Sequence, residues 1–512
     1  MSEPLTFISN PRHIEVYEMY VSNPLVQENS FLNVEREDKE LPVFDQVKTI
    51  LPQPFWNGQD EAIQCYWKAW ELAFGNLRKP TPENGFVSNF IDTAFNDCLF
   101  MWDSSFILLF ARYGSRAFNF QRTLDNLYAK QHKDGFICRE IDERAGLDRY
   151  HRFDPSSTGP NILPMAEWEY YLNFGDKERL SKVFPILVAY HRWLREYRTW
   201  PDGTYWSSGW GCGMDNQPRL ERIYDERWSH GHMVWTDTCF QQILSAKLLL
   251  QMSWEVGRTE EIPDFEDEIN SLSSYMNRHL WDENTAFYYD RWKDGRLNYV
   301  KSIGAYWSLL ADVVPSNSME RFIGHLTNEK EFNRPHPIPT LSADDPGYHE
   351  GGDYWRGGVW APTNYMVLKG LQKSDYNALA HNIAVRHLEH VVKVFLESGT
   401  LWENYAPELV SRGFHSKGDF VGWTGLSPIA VLFEFVFGLK PDVPNAKLVW
   451  DVRLLQAHGV SQYPFGIDGI MELRCEEREC LNQKPVITAS STIPLTLVVK
   501  WENGEEYVEL GK

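Results

Sequence analysis

From about residue 56 onward, apolar residues recur three and four positions apart, the spacing of one face of an α-helix. In "KERLSKVFPILVAYHRWL" Leu180, Val183, Phe184, Leu187 and Leu194 share such a face, with Pro185 marking either a helix start or a kink. In "AHNIAVRHLEHVVKVFL" Ile383, Leu388, Val391, Val392 and Phe395 do the same. The pattern predicts about a dozen helical segments, near 57–76, 101–113, 117–131, 160–174, 177–197, 236–256, 264–281, 302–313, 317–328, 360–373, 376–398 and 424–437. Short glycine-containing turns such as "NFGDKE" and "EVGRTE" favour antiparallel helical hairpins. The expected fold class is therefore mainly α, an (α/α)6 toroid of six helical hairpins.

The period changes beyond "KPDVPNAK". The stretches "KLVWDVRLL", "GIMELRCEE", "PVITASSTI" and "PLTLVVKWENGEEYVEL" are rich in Val, Ile and Thr, and Asn503-Gly504 suits a hairpin turn. The expected division is an irregular N-terminal extension over 1–55, a helical barrel over 56–440 and a small β-rich domain over 441–512.

Composition narrows the function. The formal charge of −21 would repel a polyanion, which disfavours nucleic acid as a partner. Aromatic content is 14%, with 21 Trp and 24 Tyr, side chains that suit sugar faces as well as ordinary cores. The seven cysteines include no C-x-x-C pair, and the opening residues show no basic stretch followed by an apolar run. No window approaches the roughly 18 consecutive apolar residues of a membrane span. A cytoplasmic protein with no membrane partner is expected, its oligomeric state left open. His132, His151, His232 and His415 have no metal-ligand spacing, and no phosphate-binding glycine loop or G-x-S-x-G elbow is present. Neither a catalytic metal nor a cofactor is expected.

Four long connections, 131–162, 199–235, 340–360 and 400–424, hold most of the Trp, Gly and isolated acids. Asp215 follows the aromatic run "TYWSSGW", and Glu403 sits between Trp402 and Tyr405. Two carboxyls in aromatic surroundings are what glycoside hydrolysis needs, one to protonate the leaving oxygen and one to activate water or attack. A turn cap, or an Asp215–Arg219 pair, would account for the same residues without chemistry.

Six strings in order separate these alternatives: "WDSSF", "DGFICRE", "GMDNQPR", "YWRGGVWAPTNY", "ENYAPE" and "GWTGLSP". Over roughly residues 90–437 they resemble the trehalase-like clan of glycosidases, and within it glycoside hydrolase family 63 with its mannosylglycerate and glucosylglycerate hydrolase branch. The resemblance implies an inverting α-glycosidase in which Asp215 is the general acid and Glu403 the general base. Inversion calls for carboxyls about 6.5–9.5 Å apart. Aromatic walls from Trp206, Trp210 and their neighbours would raise the Asp215 pKa so that it keeps its proton.

Further candidates for substrate binding are Trp102, Asp103, Gln131, Asp134, Trp355, Arg356, Trp360, Trp402, Tyr405 and Trp423. Asp103 could bond sugar hydroxyls or cap its helix, and Gln131 and Asp134 could reach the pocket or belong to an ordinary Asp-Gly turn. The tryptophans could stack on sugar or fill the core. Arg356, Arg219 or Lys417 could hold the carboxylate of a glycosylglycerate. The loop "HRFDPSSTGPN" could be a lid or a connector. The expected partner is a small carbohydrate, an α-glucoside or α-mannoside. A sugar epimerase or polysaccharide lyase on the same toroid, or a non-catalytic carbohydrate-binding protein, is the alternative.

Overall fold

The computed structural model describes residues 21–511, together with the backbone of two paired strands, Thr6–Ser9 and Glu15–Glu18. Helices dominate as far as Val436. In chain order they are α1 (Asp60–Gly75), α2 (Met101–Ala111), α3 (Thr123–Tyr128), α4 (Leu163–Phe174), α5 (Lys177–Tyr197) and α6 (Thr236–Val256). There follow α7 (Asp264–His279), α8 (Trp307–Leu310, lengthened by the 3-10 turn Ile303–Tyr306), α9 (Ser316–Thr327), α10 (Ala361–Lys373), α11 (Asn377–Ser398) and α12 (Ser427–Val436, wound as a π-helix). The segments fall on the spans that the periodicity marks. Pro185 lies inside α5, which continues through it.

Burial alternates along this series. The even-numbered segments are buried nearly all round: every residue of α2 and α12 is buried, as is most of α4, α6, α8 and α10. The odd-numbered helices α1, α5, α7, α9 and α11 bury one face only. A helix apolar on every side must be enclosed by others, whereas one with a single apolar stripe faces water on its back. The contacts agree. α2 packs on α4, α4 on α6, α6 on α8 and α8 on α10, and the turn Thr424–Leu426 that leads into α12 touches both α10 and α2. The short α3 is covered from outside: Asn29 Nδ2 donates to the Tyr128 carbonyl at 2.9 Å, and Phe31 lies against the Tyr128 ring.

Local chemistry sets the hairpins. α4 stops at Gly175 and α6 at Gly257, with φ of 67° and 75°, the left-handed region in which a side chain would be strained. One residue beyond Gly175, Asp176 accepts from the Arg179 N–H at 2.9 Å and starts α5.

The chain ends in two antiparallel-rich sheets. Their strands are β1 (Gln53–Trp56), β2 (Leu439–Asp442), β3 (Lys447–Asp451), β4 (His458–Pro464), β5 (Ile470–Cys475), β6 (Ile487–Ser491), β7 (Leu495–Trp501) and β8 (Gly504–Leu510). One sheet runs β2-β3-β7-β8, its β3–β7 pair parallel; the other runs β1-β4-β5-β6. The β7–β8 hairpin turns on Glu502 and Asn503, with Trp501 opposite Gly504. β1 comes from the end of the N-terminal extension, so the first and last parts of the chain share a sheet. The β layer is fused to the helices through α12: Trp450 Nε1 donates to the Phe437 carbonyl at 2.9 Å, and Tyr463 lies 5.8 Å from Phe433. Among the described residues no helix is long and apolar enough to cross a membrane.

The even-numbered segments begin near the loops named above and end at the opposite face of the domain, where a buried charge network ties α2, α4, α10 and α12. Arg112 contacts Glu434 at 2.7 Å and Glu169 at 3.3 Å, Lys369 contacts Glu169 at 2.7 Å, and the hydroxyls of Tyr113 and Tyr365 donate to Glu434. Removing Glu434 takes the nearer of its two anions from the buried Arg112 guanidinium and the acceptor from two buried hydroxyls, and breaking a buried pair of this kind costs about 3–5 kcal/mol. Glu434→Ala is accordingly expected to lower the thermal midpoint sharply. A midpoint within a degree or two of wild type would show that the network does not brace these helices.

Candidate active site

The four long loops meet at one cavity of about 340 Å³. Loop 131–162 contributes Arg139, Glu140, Arg149, Tyr150, Gly159 and Pro160; loop 199–235 contributes Trp210, Gly213 and Asp215; Tyr354 and Trp355 come from the third, Glu403 and Trp423 from the fourth. Phe95, Asn96, Phe100, Trp102 and Asp103, at and before the start of α2, complete the wall.

Asp215 is placed by its neighbours in "GMDNQPR". Asn216 Nδ2 donates to the Asp353 carbonyl at 3.1 Å, its Oδ1 accepts from the Trp355 N–H at 2.9 Å, and its carbonyl accepts from Arg356 Nε at 2.8 Å. Gln217 Nε2 donates to the Thr340 carbonyl and its Oε1 accepts from Ser302, both at 2.7 Å. Arg219 is buried and forms paired contacts of 2.6–2.9 Å with Asp237 and Asp290, over the face of Trp235. It is therefore not the partner of Asp215, and four of its five N–H groups are taken by these two carboxylates. Gly213, at φ 77°, lets the loop pass within 3.2 Å of the Trp102 indole, measured from where a Cβ would stand.

Burial pushes the Asp215 carboxyl up to about 7; Arg139 pulls against this, and Glu140 and Glu226 add to it. Glu403 is also pushed up to about 7, first by burial and further by Asp215, while the Tyr354 hydroxyl and the Lys417 amide pull it down. The two groups thus sense each other across the cavity and resist carrying two charges at once. Their surroundings differ. Glu403 Oε1 accepts from the Tyr354 hydroxyl at 3.0 Å and Oε2 from the Lys417 N–H at 3.2 Å. These two donors favour the ionised form of Glu403, while the charge of Arg139 and the Asp215 N–H favour that of Asp215. Asp103, buried in the first turn of α2, is raised well above the usual carboxylate range by burial, then by Glu140 and Glu403.

The remaining sequence candidates fall into two groups. Trp102, Asp103, Trp355 and Trp423 face the cavity. Trp360 stands behind it, stacked on Trp355 at 3.8 Å and 3°, and Trp423 meets Trp360 edge-on at 5.5 Å. Gln131 bonds Asn29 and the Gly135 and Ile186 carbonyls, and Asp134 takes Arg152 at 2.5 Å and the Trp193 indole at 2.9 Å; both brace loop 131–162 from outside the lining. Arg356 holds the Asn216 carbonyl. Tyr405 packs on His336, its hydroxyl accepting from the Trp402 N–H, and Trp402 lies under Arg412. Lys417 Nζ donates to the Phe95 carbonyl at 2.6 Å. The stretch 151–161 is pinned: Arg198 donates to the Arg152 and Asp154 carbonyls and to Ser157.

Sequence reasoning passed over Arg139, Glu140, Tyr150 and Tyr354. Arg139 pairs with Glu140 at 2.7 Å and lies 4.9 Å over the Tyr150 ring, close enough to act on Asp215. Both Arg139 and Glu140 end the string "DGFICRE", and Tyr354 opens "YWRGG"; the signal was present in motifs examined for other residues. Among the described residues no three His, Cys, Asp or Glu side chains are grouped to hold a metal ion.

Comparison with known proteins agrees with this geometry. The family described as mannosylglycerate hydrolase MGH1-like glycoside hydrolase domain matches residues 98–418, which include the first three loops and the fourth as far as residue 418. An uncharacterized protein of Borreliella burgdorferi is 25% identical over 368 residues, covering 70% of this chain and 75% of its own. A probable mannosyl-oligosaccharide glucosidase of Schizosaccharomyces pombe is 24% identical over 280 residues, covering 48% of this chain and 34% of that relative. The fold is shared with the crystal structure of a GH63 mannosylglycerate hydrolase from Thermus thermophilus in complex with glucose, at TM-score 0.57 and 21% identity, over 71% of this chain and 99% of that one.

Raised carboxyls carry a stability consequence. Asp215 and Glu403 bind protons more tightly in the folded chain than in the unfolded one, so folding loses stability as pH rises from the ordinary carboxyl range through about 7. Asp215→Asn and Glu403→Gln are expected to raise the thermal midpoint at about pH 8, with the gain shrinking toward about pH 4. An offset that stays constant across that range would rule out the buried, proton-holding pair.

Proposed function

Because the chain belongs to the MGH1-like glycoside hydrolase family, we propose that it is an inverting α-glycosidase in which Asp215 acts as general acid and Glu403 as general base. The observation that carries this is two buried carboxyls on one cavity, both raised to about 7, Glu403 held by the Tyr354 hydroxyl and the Lys417 amide and Asp215 met by its own backbone N–H and by the charge of Arg139. Protonated Asp215 gives its proton to the glycosidic oxygen as the bond breaks. Ionised Glu403 takes a proton from the water that attacks the opposite face of the sugar, and the oxocarbenium-like transition state lies between them. Tyr354 and the Lys417 amide hold the Glu403 carboxylate in place until it accepts that proton.

We read the alternation of enclosed and one-faced helices as six hairpins of a closed (α/α)6 toroid. Residues 56–440 then form the catalytic unit and 441–512 a β-rich appendage. Within this frame Trp102, Trp355 and Trp423 offer apolar faces to a sugar ring, and Asp103, Arg139 and Glu140 offer polar groups to its hydroxyls. Trp360 supports the floor from behind. Gln131, Asp134, Arg356, Trp402 and Tyr405 act through the loops they brace. The substrate is a small α-glucoside or α-mannoside, in keeping with the activities named for the relatives. The seven free cysteines suit a reducing compartment such as the cytoplasm.

Kinetics on two kinds of substrate tests the roles. On natural α-linked disaccharides, Asp215→Asn and Glu403→Gln are each expected to lower kcat by about 10²–10⁴-fold. An aryl α-glycoside with a good leaving group needs little acid assistance, so Asp215→Asn should recover much of its rate there and lose the alkaline limb of its pH profile. Glu403→Gln should stay slow on both. NMR should show the β-anomer released first; α-sugar as the first product, or full rates in either variant, would overturn the assignment.

A further inference from the structure

The loop that carries the acid continues into a strap, Asp225–Ser229, which folds back over it. The Trp210 N–H donates to the Glu226 carbonyl at 3.4 Å, and Ser156 Oγ donates to the Arg227 carbonyl. A Cβ on Gly209 would stand 2.7 Å from the Glu226 carbonyl oxygen and 3.0 Å from that of Asp215. Only glycine there lets strap, Trp210 turn and acid approach so closely. The strap also sets Arg227 over the Trp210 ring, at 5.7 Å, and pairs it with Asp225.

Trp228 on this strap is 45% exposed, while Trp355 and Trp360 on the other side of the site are fully buried. Its ring lies 6.2 Å from Trp210 and 6.4 Å edge-on from Tyr150, and both of those line the cavity. The three rings therefore lead from the cavity wall outward to solvent. Which end of the substrate they meet follows from chemistry: the general acid must face the leaving-group oxygen, and Trp210 and the strap belong to the acid's own loop. A large aromatic left half in water beside a sugar site offers a flat apolar face of the kind that a pyranose ring covers.

On the basis of the hydrolytic function proposed above, we infer that Tyr150, Trp210 and Trp228 form an aromatic track on the leaving-group side, and that the preferred substrate carries a further pyranose ring there, stacked on Trp228. The leaving group is then at least a disaccharide. The competing occupant is a single small acid such as glycerate, which would be met by Arg149, a cavity-lining residue whose side chain is 52% exposed.

The test compares an α-linked disaccharide with the trisaccharide that has one more ring on its reducing side, using wild type, Trp228→Ala and Trp228→Phe. Wild type is expected to favour the trisaccharide in kcat/KM by about fivefold to tenfold, chiefly through KM. Trp228→Ala should remove that preference and Trp228→Phe should keep most of it. The ratio is taken within one preparation, so partial unfolding cancels. If wild type cleaves both sugars equally well, if Trp228→Ala keeps the preference, or if a glycosylglycerate outcompetes both sugars in wild type and Trp228→Ala alike, the track is refuted while the glycosidase assignment stands. If no α-glycoside is cleaved, that assignment falls and the track falls with it.

Discussion

The site depends on the guanidinium of Arg219. It is buried, four residues after Asp215, and it joins Asp237 at the start of α6 to Asp290, whose Oδ1 also accepts from the Thr236 N–H at 2.9 Å. Three chain segments are thereby locked to one planar cation, whose fork meets Asp290 side-on through Nε and Nη2 and Asp237 end-on through Nη1 and Nη2. A buried ion pair of this kind is a weak source of net stability, because desolvation consumes most of the Coulomb attraction. What it supplies is position. With Arg219, Gln217 and Asn216 all anchored, the loop holds Asp215 through its neighbours, and the carboxyl, bonded by its own N–H, stands on the wall of the cavity.

That anchoring leaves two carboxyls on one cavity in unlike surroundings. Burial raises both, and Asp215 raises Glu403 further. Glu403 is met by two donors, the Tyr354 hydroxyl and the Lys417 amide, and Asp215 by its own N–H and the charge of Arg139. Tyr354 in turn is fixed by the Asn216 bonds to the 353–356 turn, so the residue next to Asp215 also sets a donor of Glu403. The enclosed helices begin at this end of the domain, and their N-terminal partial charges favour whatever negative charge develops there.

Much of this was legible in the sequence, and the failures have physical causes. Helical spans were visible because enclosed and one-faced helices both keep a period near 3.6, and Asp215 and Glu403 stood out as acids among aromatics. β4 escaped because "HGVSQYP" has few β-branched residues and carries a bulge at Ser461–Gln462, with Gln462 at φ 58°, which breaks the alternation of period two. β1 escaped because its partner lies some 400 residues away, as its pairing of Trp56 with His458 shows. The roles of Gln131, Asp134 and Arg356 were ambiguous for a different reason: a polar residue in a loop motif reads alike whether it points into a cavity or secures the loop from behind. Only the tertiary partners of Asp134, Arg152 and the Trp193 indole, distinguish the two.

The aromatic residues divide along the same line. Around Glu403, Trp355, Trp360 and Trp423 pack on one another, with Trp423 Nε1 directed at the Glu403 carbonyl, so that wall is closely packed. Beside Asp215 the rings are spaced more widely and the outermost is open to solvent. The inverting hydrolysis proposed above would make unequal demands on these two sides. The water is small and must be held at one point, which favours a packed wall, whereas the leaving group must enter, depart and differ from substrate to substrate. The opposite face of the domain, where Arg112, Glu169, Lys369 and Glu434 are paired with one another, carries no such demand and can be closed completely. Packing is thus closest at the face where the helices end and most open beside Trp228, and the two buried carboxyls lie between these limits.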